Sequence, residues 1–482
     1  MKKLIVIVSP LFVRNYIETD ALREIIDQDT FFICSSDLNE KDKKSVIRYG
    51  NFAGVYSSSS TKSSFFIFIS LLLMHANRKL NKGFYLYFKK TYSEVYFPSK
   101  RLQKKIHEWT SNKIIQKFLT SLLDFFRPIR RPLKFGQFLV ILTINYLSLT
   151  KIIVNLYKYL LPSDEDLKPV IDQVKPDLVL IPNGGLNPVV NDIINLSNKK
   201  HSFKTMLMVD NWDNLCSKSR FVFEPDFFCV WGEQAKGHAL KFHGIEESRV
   251  FLAGTPRYDV YYEYKHSSNN FKEVNFPYIL FAGCWPPFDE ISVLERLNAL
   301  VDKYKSLLPN NCKILYRPHP WGANYDQLDF LRSKKLKNVE IDPQMSHKSR
   351  PENWLRRTDF QPDLNYYPII IGNSEFIICP LSTMIIEGSI MNKKVLGIAY
   401  DDGQHVLNPA VMFKNSDYFE RLSDMTNILL LHNEDKLESA FHDMIVNDMP
   451  LNRKALSFYI VDDKRLYPER IKDICSKINS LI

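Results

Sequence analysis

Arg317-Pro318-His319-Pro320 and Ser382-Thr383 are the residues of this chain whose types and placement point most directly to chemistry. The first group follows the apolar run Lys313-Ile314-Leu315-Tyr316, and the second follows Phe376-Ile377-Ile378-Cys379. Both runs read as buried strands, so each group falls at the carboxyl end of a strand, where open α/β sheets bind ligands. A histidine between two prolines neither continues a strand nor enters a helix, and it is presented on a stiff turn. A Ser-Thr pair at a helix start offers hydroxyls and backbone N–H groups, and the helix dipole favours an anion there. Arg317 can add a second charge to the same anion. Together they predict a phosphate or nucleotide site. The plainer alternative makes His319 a capped turn residue and Ser382 an N-cap.

Other strand ends carry further polar groups. Asp210-Asn211-Trp212-Asp213-Asn214 closes the strand Thr205–Val209 and holds two carboxylates suited to proton transfer, or an Asx-rich turn around a buried Trp212. Lys218 and Arg220 follow, suited to an anionic ligand or to a solvated loop. Arg257 and Asp259, after Gly254, either line a cleft or fix a turn. Glu387 lies one helical turn beyond the hydroxyl pair and faces the same way. No Asp-x-Asp stands at a strand end in a nucleotide-site context, and no metal or other cofactor is expected. Asp401-Asp402 follows a strand and is not assigned to a metal.

These residues need a scaffold of alternating strands and helices. A strand at 3–8, a helix near 18–27 and a strand at 30–34 open such a pattern. It resumes at 164 and continues past a polar linker at His266–Asn270 to Val395–Ala399. The sequence from about 415 reads as helical to the end. Strand–helix alternation on both sides of a linker predicts an α/β protein with two doubly wound, Rossmann-like parallel-sheet domains facing a cleft. The domains are 1–265 on the acceptor side and 271–425 on the nucleotide side. Residues 426–482 form C-terminal helices that can cross back to the first domain.

Length and composition agree with this scheme. The chain has 482 residues, 45% hydrophobic and 13% aromatic, enough for two or three folded domains. Its seven cysteines are scattered with no C-x-x-C spacing, which predicts reduced thiols rather than a disulfide framework or zinc site. Met-Lys-Lys followed by Leu4-Ile5-Val6-Ile7-Val8 reads as a first buried strand rather than a signal peptide.

Net charge is +10, but Lys62–Leu160 alone holds 18 Lys or Arg against 3 acids, a net +15, and the remainder is net −5. Residues 60–160 thus form a basic, aromatic, helical insertion. Its uncharged stretches, Ser63–Asn77 and Phe135–Thr150, fall short of the ~20 residues a spanning helix needs. Two readings stand: core helices with a solvated basic face, or a patch lying on an anionic membrane surface. No nucleic-acid motif accompanies the basic residues, and nucleic acid is not an expected partner.

The full set of motifs resembles the GT-B transferases of bacterial surface-polysaccharide synthesis. It is most similar to the CDP-glycerol glycerophosphotransferase-like group and to the CMP-sugar-dependent sialyl- and Kdo-transferases with HP and S-S/T motifs. The resemblance covers roughly residues 165–410. It implies that His319, Ser382 and Thr383 hold the nucleotide phosphate, with Arg317 beside them, and that Glu387 binds a ribose or sugar hydroxyl. It places the acceptor side near Asp210 and Asp213, with Lys218, Arg220 and Arg257 as acceptor-binding residues. The glycerophosphotransferase group has a histidine where this chain has carboxylates; Asp213 is the favoured base, with Asp210 and His319 as the other catalytic candidates.

The expected function is metal-independent glycosyl transfer from a nucleotide sugar, favouring a CMP-linked acidic sugar, to a glycan or glycolipid acceptor. The expected location is cytoplasmic, at the inner face of the cytoplasmic membrane. Alternatives are a CDP-polyol phosphotransferase, a UDP-sugar 2-epimerase-like enzyme, or a non-catalytic scaffold for polysaccharide assembly. Epimerases of this kind typically need more cleft carboxylates and no membrane patch.

Overall fold

The computed structural model describes residues 1–57, 60–92, 132–161, 164–183, 187–200, 203–267, 272–284, 288–320, 331, 334, 336–346, 362–405, 407–461 and 465–481. Residues 93–131 of the basic insertion and 268–270 of the expected linker lie outside them.

The first sheet is built from β1 (Lys3–Ile7), β2 (Thr30–Ser35), β3 (Asn51–Tyr56), β4 (Leu178–Asn183), β5 (Lys204–Val209), β6 (Phe227–Val230) and β7 (Val250–Leu252). Its order is β3-β2-β1-β4-β5-β6-β7, parallel throughout. The second sheet holds β8 (Tyr278–Ala282), β9 (Lys313–Arg317), β10 (Val339–Ile341), β11 (Ile377–Pro380), β12 (Val395–Ile398) and β13 (Ile428–Leu431). It repeats the same winding, β10-β9-β8-β11-β12-β13, also parallel. The expected pair of doubly wound domains is therefore present. Each sheet reverses strand order once, between β1 and β4 and between β8 and β11, and the crevice outside such a switch point is where ligands bind.

The central strands are apolar because helices cover both faces. Every residue of β1, β4 and β8 is buried. On one face of the first sheet, Ile5, Ile7, Leu178 and Met206 pack with the C-terminal helix Tyr467–Asn479. On the other, Leu4, Val6, Val179 and Leu207 pack with helices Leu167–Val174 and Pro188–Lys200. A third cluster joins the domains: Trp212 lies 5.4 Å from Tyr418, 5.8 Å from Phe419 and 5.7 Å from Tyr459, ring to ring. The turn after β5 thus does bury its tryptophan, against the other domain.

Two expectations are corrected, and one strand was missed. The helix near 18–27 is displaced: Ser9 caps a turn at Pro10–Phe12 that runs into Val13–Ile17, and only a short turn, Arg23–Ile25, follows. Proline at the first helical position and a serine cap start the helix directly after β1. Strand β3 was not expected because it is a half-exposed edge strand containing Gly54, with a register shift opposite Phe32/Ile33. The stretch after 415 is not helical throughout, since Ile428–Leu431 is the sixth strand of the second sheet. A short apolar run has no periodicity to tell strand from helix.

The chain returns to the first domain at its end. Val461 N donates to Trp231 O at 2.9 Å, and a Cβ on Gly232 would meet the Tyr459 carbonyl carbon at 2.7 Å. Arg470 Nε then donates to Ala253 O at 2.8 Å, and Asp259 Oδ2 accepts from Tyr467 N at 2.7 Å. Asp259 therefore anchors the last helix and does not line the cleft. All seven cysteines are buried and none is in a disulfide.

Candidate active site

A cleft of about 190 Å³ lies between the carboxyl edges of the two sheets. Residues following β1, β5 and β7 wall it from the first domain. Residues following β8, β9 and β11 wall it from the second.

The first-domain wall is a chain of polar contacts. The turn after β1 carries Arg14 and Asn15 inward. Arg14 donates from Nε and Nη2 to Asn15 Oδ1, both at 3.1 Å, and from Nη1 to Pro362 O at 3.3 Å. Asn15 Nδ2 in turn donates to Asp210 Oδ1 at 3.0 Å. Burial pushes the Asp210 carboxyl up to about 6, against the pull of Arg257, the Asn15 hydrogen bond and Arg14. A carboxyl so placed exchanges protons near neutral pH, as a general base must.

Arg257 joins the walls. It lies over the rings of Trp231 and Tyr258, 5.5 Å from each, and its Nη2 donates to Glu387 Oε1 at 2.8 Å. Tyr261 OH donates to Glu387 Oε2 at 2.8 Å. Both oxygens of Glu387 thus meet first-domain residues, which gives this carboxylate an interdomain bond besides any ligand it meets.

On the second-domain wall, Arg317 is locked. Nη1 donates to Asp342 Oδ2 and Nη2 to Gln344 Oε1, each at 2.7 Å, and the Tyr367 ring lies 4.5 Å away. Tyr366 OH donates to the second oxygen of Asp342 at 2.9 Å. His319 stands two residues on and lines the cleft. Burial, and Arg317 beside it, pull its imidazole down to about 4, so the ring is neutral at neutral pH. Ser382 and Thr383 line the same wall. Ser382 Oγ accepts from Met384 N at 3.3 Å and so closes the first turn of the helix Met384–Ile390.

The floor is formed by Gly283, whose N–H donates to Arg317 O at 2.8 Å. Behind it, Glu290 accepts from Cys284 N at 2.9 Å and from Tyr316 OH at 2.5 Å. A Cβ at Gly283 would come within 2.7 Å of Glu290 Oε2, so a side chain here would have to displace that carboxylate from its bonds. Burial pushes Glu290 up to about 7.

The structure therefore gathers Asp210, Arg257, Arg317, His319, Ser382, Thr383 and Glu387 around one cleft. It places Asp213, Lys218 and Arg220 elsewhere. Asp213 Oδ2 accepts from Ser217 Oγ at 2.7 Å and lies 3.9 Å from Lys218 Nζ, outside the cleft lining. Lys218 and Arg220 line a separate small cavity in the first domain, and Arg220 Nη2 donates to His243 O at 3.0 Å. Asp401 and Asp402 build their own turn, with Asp402 Oδ2 2.5 Å from His405 Nδ1. Sequence reading missed Arg14, Asn15, Tyr261 and Gly283. The available signal was position, since Arg14 and Gly283 follow the two strands at which the sheets switch.

The whole-chain fold has a solved counterpart. The UDP co-structure of MnaA from S. aureus matches with a TM-score of 0.51 at 11% identity, covering 100% of this chain and 98% of that one. The UDP-GlcNAc 2-epimerase from Methanocaldococcus jannaschii, in complex with UDP-GlcNAc and UDP, gives 0.49 at 12% identity over 99% and 100%. MurG from Acinetobacter baumannii gives 0.43 at 9% identity over 99% and 100%. The two sheets, their winding and the S. aureus match establish the GT-B-like fold. No family model matches the chain, and no curated protein sequence does.

Proposed function

We propose that this protein is a nucleotide-sugar enzyme that transfers a sugar to a glycan acceptor. The observation that carries this reading is the division of the cleft: His319, Ser382 and Thr383 stand on one wall, and the buried carboxyl of Asp210 on the other. In this reading the leaving phosphate lies against the neutral His319 ring and the two hydroxyls, which stabilise its growing charge. Asp210, held by Asn15, takes the proton of the attacking acceptor hydroxyl from the opposite side. Arg14 and Arg257 supply positive charge between the walls, which suits an acidic sugar. The favoured donor is a CMP-linked acidic sugar, and the favoured acceptor a surface-polysaccharide or lipid-linked glycan.

One observation favours a second reading. Asp210 and Glu387 are two carboxylates beside one arginine, a set that also suits proton removal and return on a single nucleotide sugar, as in a 2-epimerase. The S. aureus counterpart of this fold is a UDP complex.

Calorimetric titration with CMP, CDP, UMP and UDP tests the shared part, and His319→Ala should weaken the binding nucleotide by about tenfold or more. No binding of any nucleotide would remove the proposal. Incubating a bound nucleotide sugar in deuterated water without acceptor separates the two readings. Deuterium in the sugar means epimerisation, and turnover only when acceptor is added means transfer.

A further inference from the structure

Two helices inserted between β3 and β4 are apolar on the side that faces away from the protein. In Thr150–Leu160, Val154 is buried against the core, yet Ile152, Leu156 and Tyr159, spaced four and three apart on the opposite side, are bare, with Ile152 61% and Tyr159 83% exposed. The preceding helix, Pro132–Tyr146, adds Leu133 and Tyr146, each 88% exposed, and Val140. Single exposed apolar residues are ordinary, but six on two consecutive helices are not, and such patches mark an interaction surface.

The occupant follows from charge and length. Between residues 132 and 161 there is no acidic residue, and the only charges are Lys134, Lys151 and Lys158, within a segment of net charge +15. A second copy meeting this patch with its own would set lysine against lysine with no carboxylate to answer. An anionic lipid bilayer answers both features, taking the apolar side chains among its acyl chains and the lysines onto its phosphates. The two helices meet at 112°, and no single described helix is long and apolar enough to cross a membrane. Only together are the two long and apolar enough for a span, but Phe138, Ile141 and Val154 pack one side of the pair into the protein core, which favours a position along the bilayer surface, with Tyr146 and Tyr159 at headgroup depth. We infer that residues 132–160 form a monotopic docking patch for an anionic membrane. This inference does not depend on the reaction proposed above.

The test is flotation of the full-length protein with phosphatidylcholine vesicles and with vesicles containing about a third phosphatidylglycerol. Wild type should bind the anionic vesicles about tenfold or more better than the neutral ones, and raised salt should weaken that preference. Ile152→Glu/Tyr159→Glu replaces only exposed side chains, so it should keep the wild-type melting temperature and nucleotide titration while losing about tenfold or more in vesicle binding. Equal binding to neutral vesicles, no binding to either kind, or unchanged binding by the double variant would overturn the inference. So would a wild-type dimer in light scattering that the variant converts to monomer without any vesicle binding, because the patch would then be a self-interface.

Discussion

Arg257 Nη2 lies 2.8 Å from Glu387 Oε1, and this ion pair ties the first domain to the second across the cleft. Both partners are largely removed from water, at 15% and 4% side-chain exposure. Tyr261 OH holds the other oxygen of the same carboxylate, so the bond is oriented as well as charged. Removing one member of such a pair leaves the other buried and uncompensated.

Arg257→Ala should therefore cost about 3 kcal/mol of unfolding free energy in a denaturant titration, whereas Glu387→Gln, which keeps a hydrogen-bonding carbonyl, should cost less. A change under about 0.5 kcal/mol for Arg257→Ala would mean that the pair is no more than a surface contact.

Arg317 and His319 should separate in kind. Arg317→Ala strands Asp342, which is wholly buried, and should destabilise the second domain by roughly 3–5 kcal/mol. His319 lines the cleft, and His319→Ala should leave the melting temperature within a few degrees while weakening nucleotide binding. A strongly destabilised His319→Ala protein would make that histidine a structural residue. Thermal unfolding with and without nucleotide reads both outcomes.

Asp210 makes stability and turnover depend on pH in opposite directions. Its carboxyl sits at about 6 in the folded chain against an ordinary 3.8, so the folded state holds the proton more tightly. The stabilising contribution is full below pH 3.8 and is lost as pH rises through about 6, an amount of roughly 2–3 kcal/mol. Asp210→Asn should flatten that part of the stability–pH curve. In the same window wild-type kcat/KM should rise as the carboxylate forms, and the variant should lose activity at every pH. A wild-type profile with no inflection near pH 6 would take the base role away from Asp210.

Gly283→Ala tests the cleft floor. The added methyl would press on the Glu290 carboxylate, which Cys284 N and Tyr316 OH hold in place. We expect a loss of about 1–3 kcal/mol in stability and weaker nucleotide binding. Wild-type stability and binding would mean that Glu290 swings aside and does not support the floor.

Much of the scaffold was legible because parallel strands buried on both faces must be continuous apolar runs, and β1, β4, β8 and β11 are such runs. The elements that escaped lack that signal. β3 is a half-exposed edge strand with a glycine, and β13 is a four-residue run without periodicity. Within the site, His319, Ser382, Thr383 and Asp210 were recognisable as polar residues at strand ends. Arg14 and Asn15 were not, because nothing in a lone Arg-Asn pair announces that it reaches Asp210, 195 residues away. The anchoring of Arg317 by Asp342 and of Glu387 by Arg257 and Tyr261 is likewise a product of long-range packing. Local sequence therefore suggested ligand roles for two side chains whose visible bonds are to the protein.

The last helix has a consequence for the order in which the protein is made. Tyr467, Ile471, Ile474 and Ile478 fill the same core as Ile5 and Ile7 of the first strand. The ribosome must therefore finish the whole second domain before the first can close its core. During synthesis the second domain can complete its sheet while the earlier one waits with an apolar face uncovered, the reverse of the usual order in which amino-terminal domains fold first. Chaperone dependence and aggregation on truncation should accordingly concentrate on the helix Tyr467–Asn479.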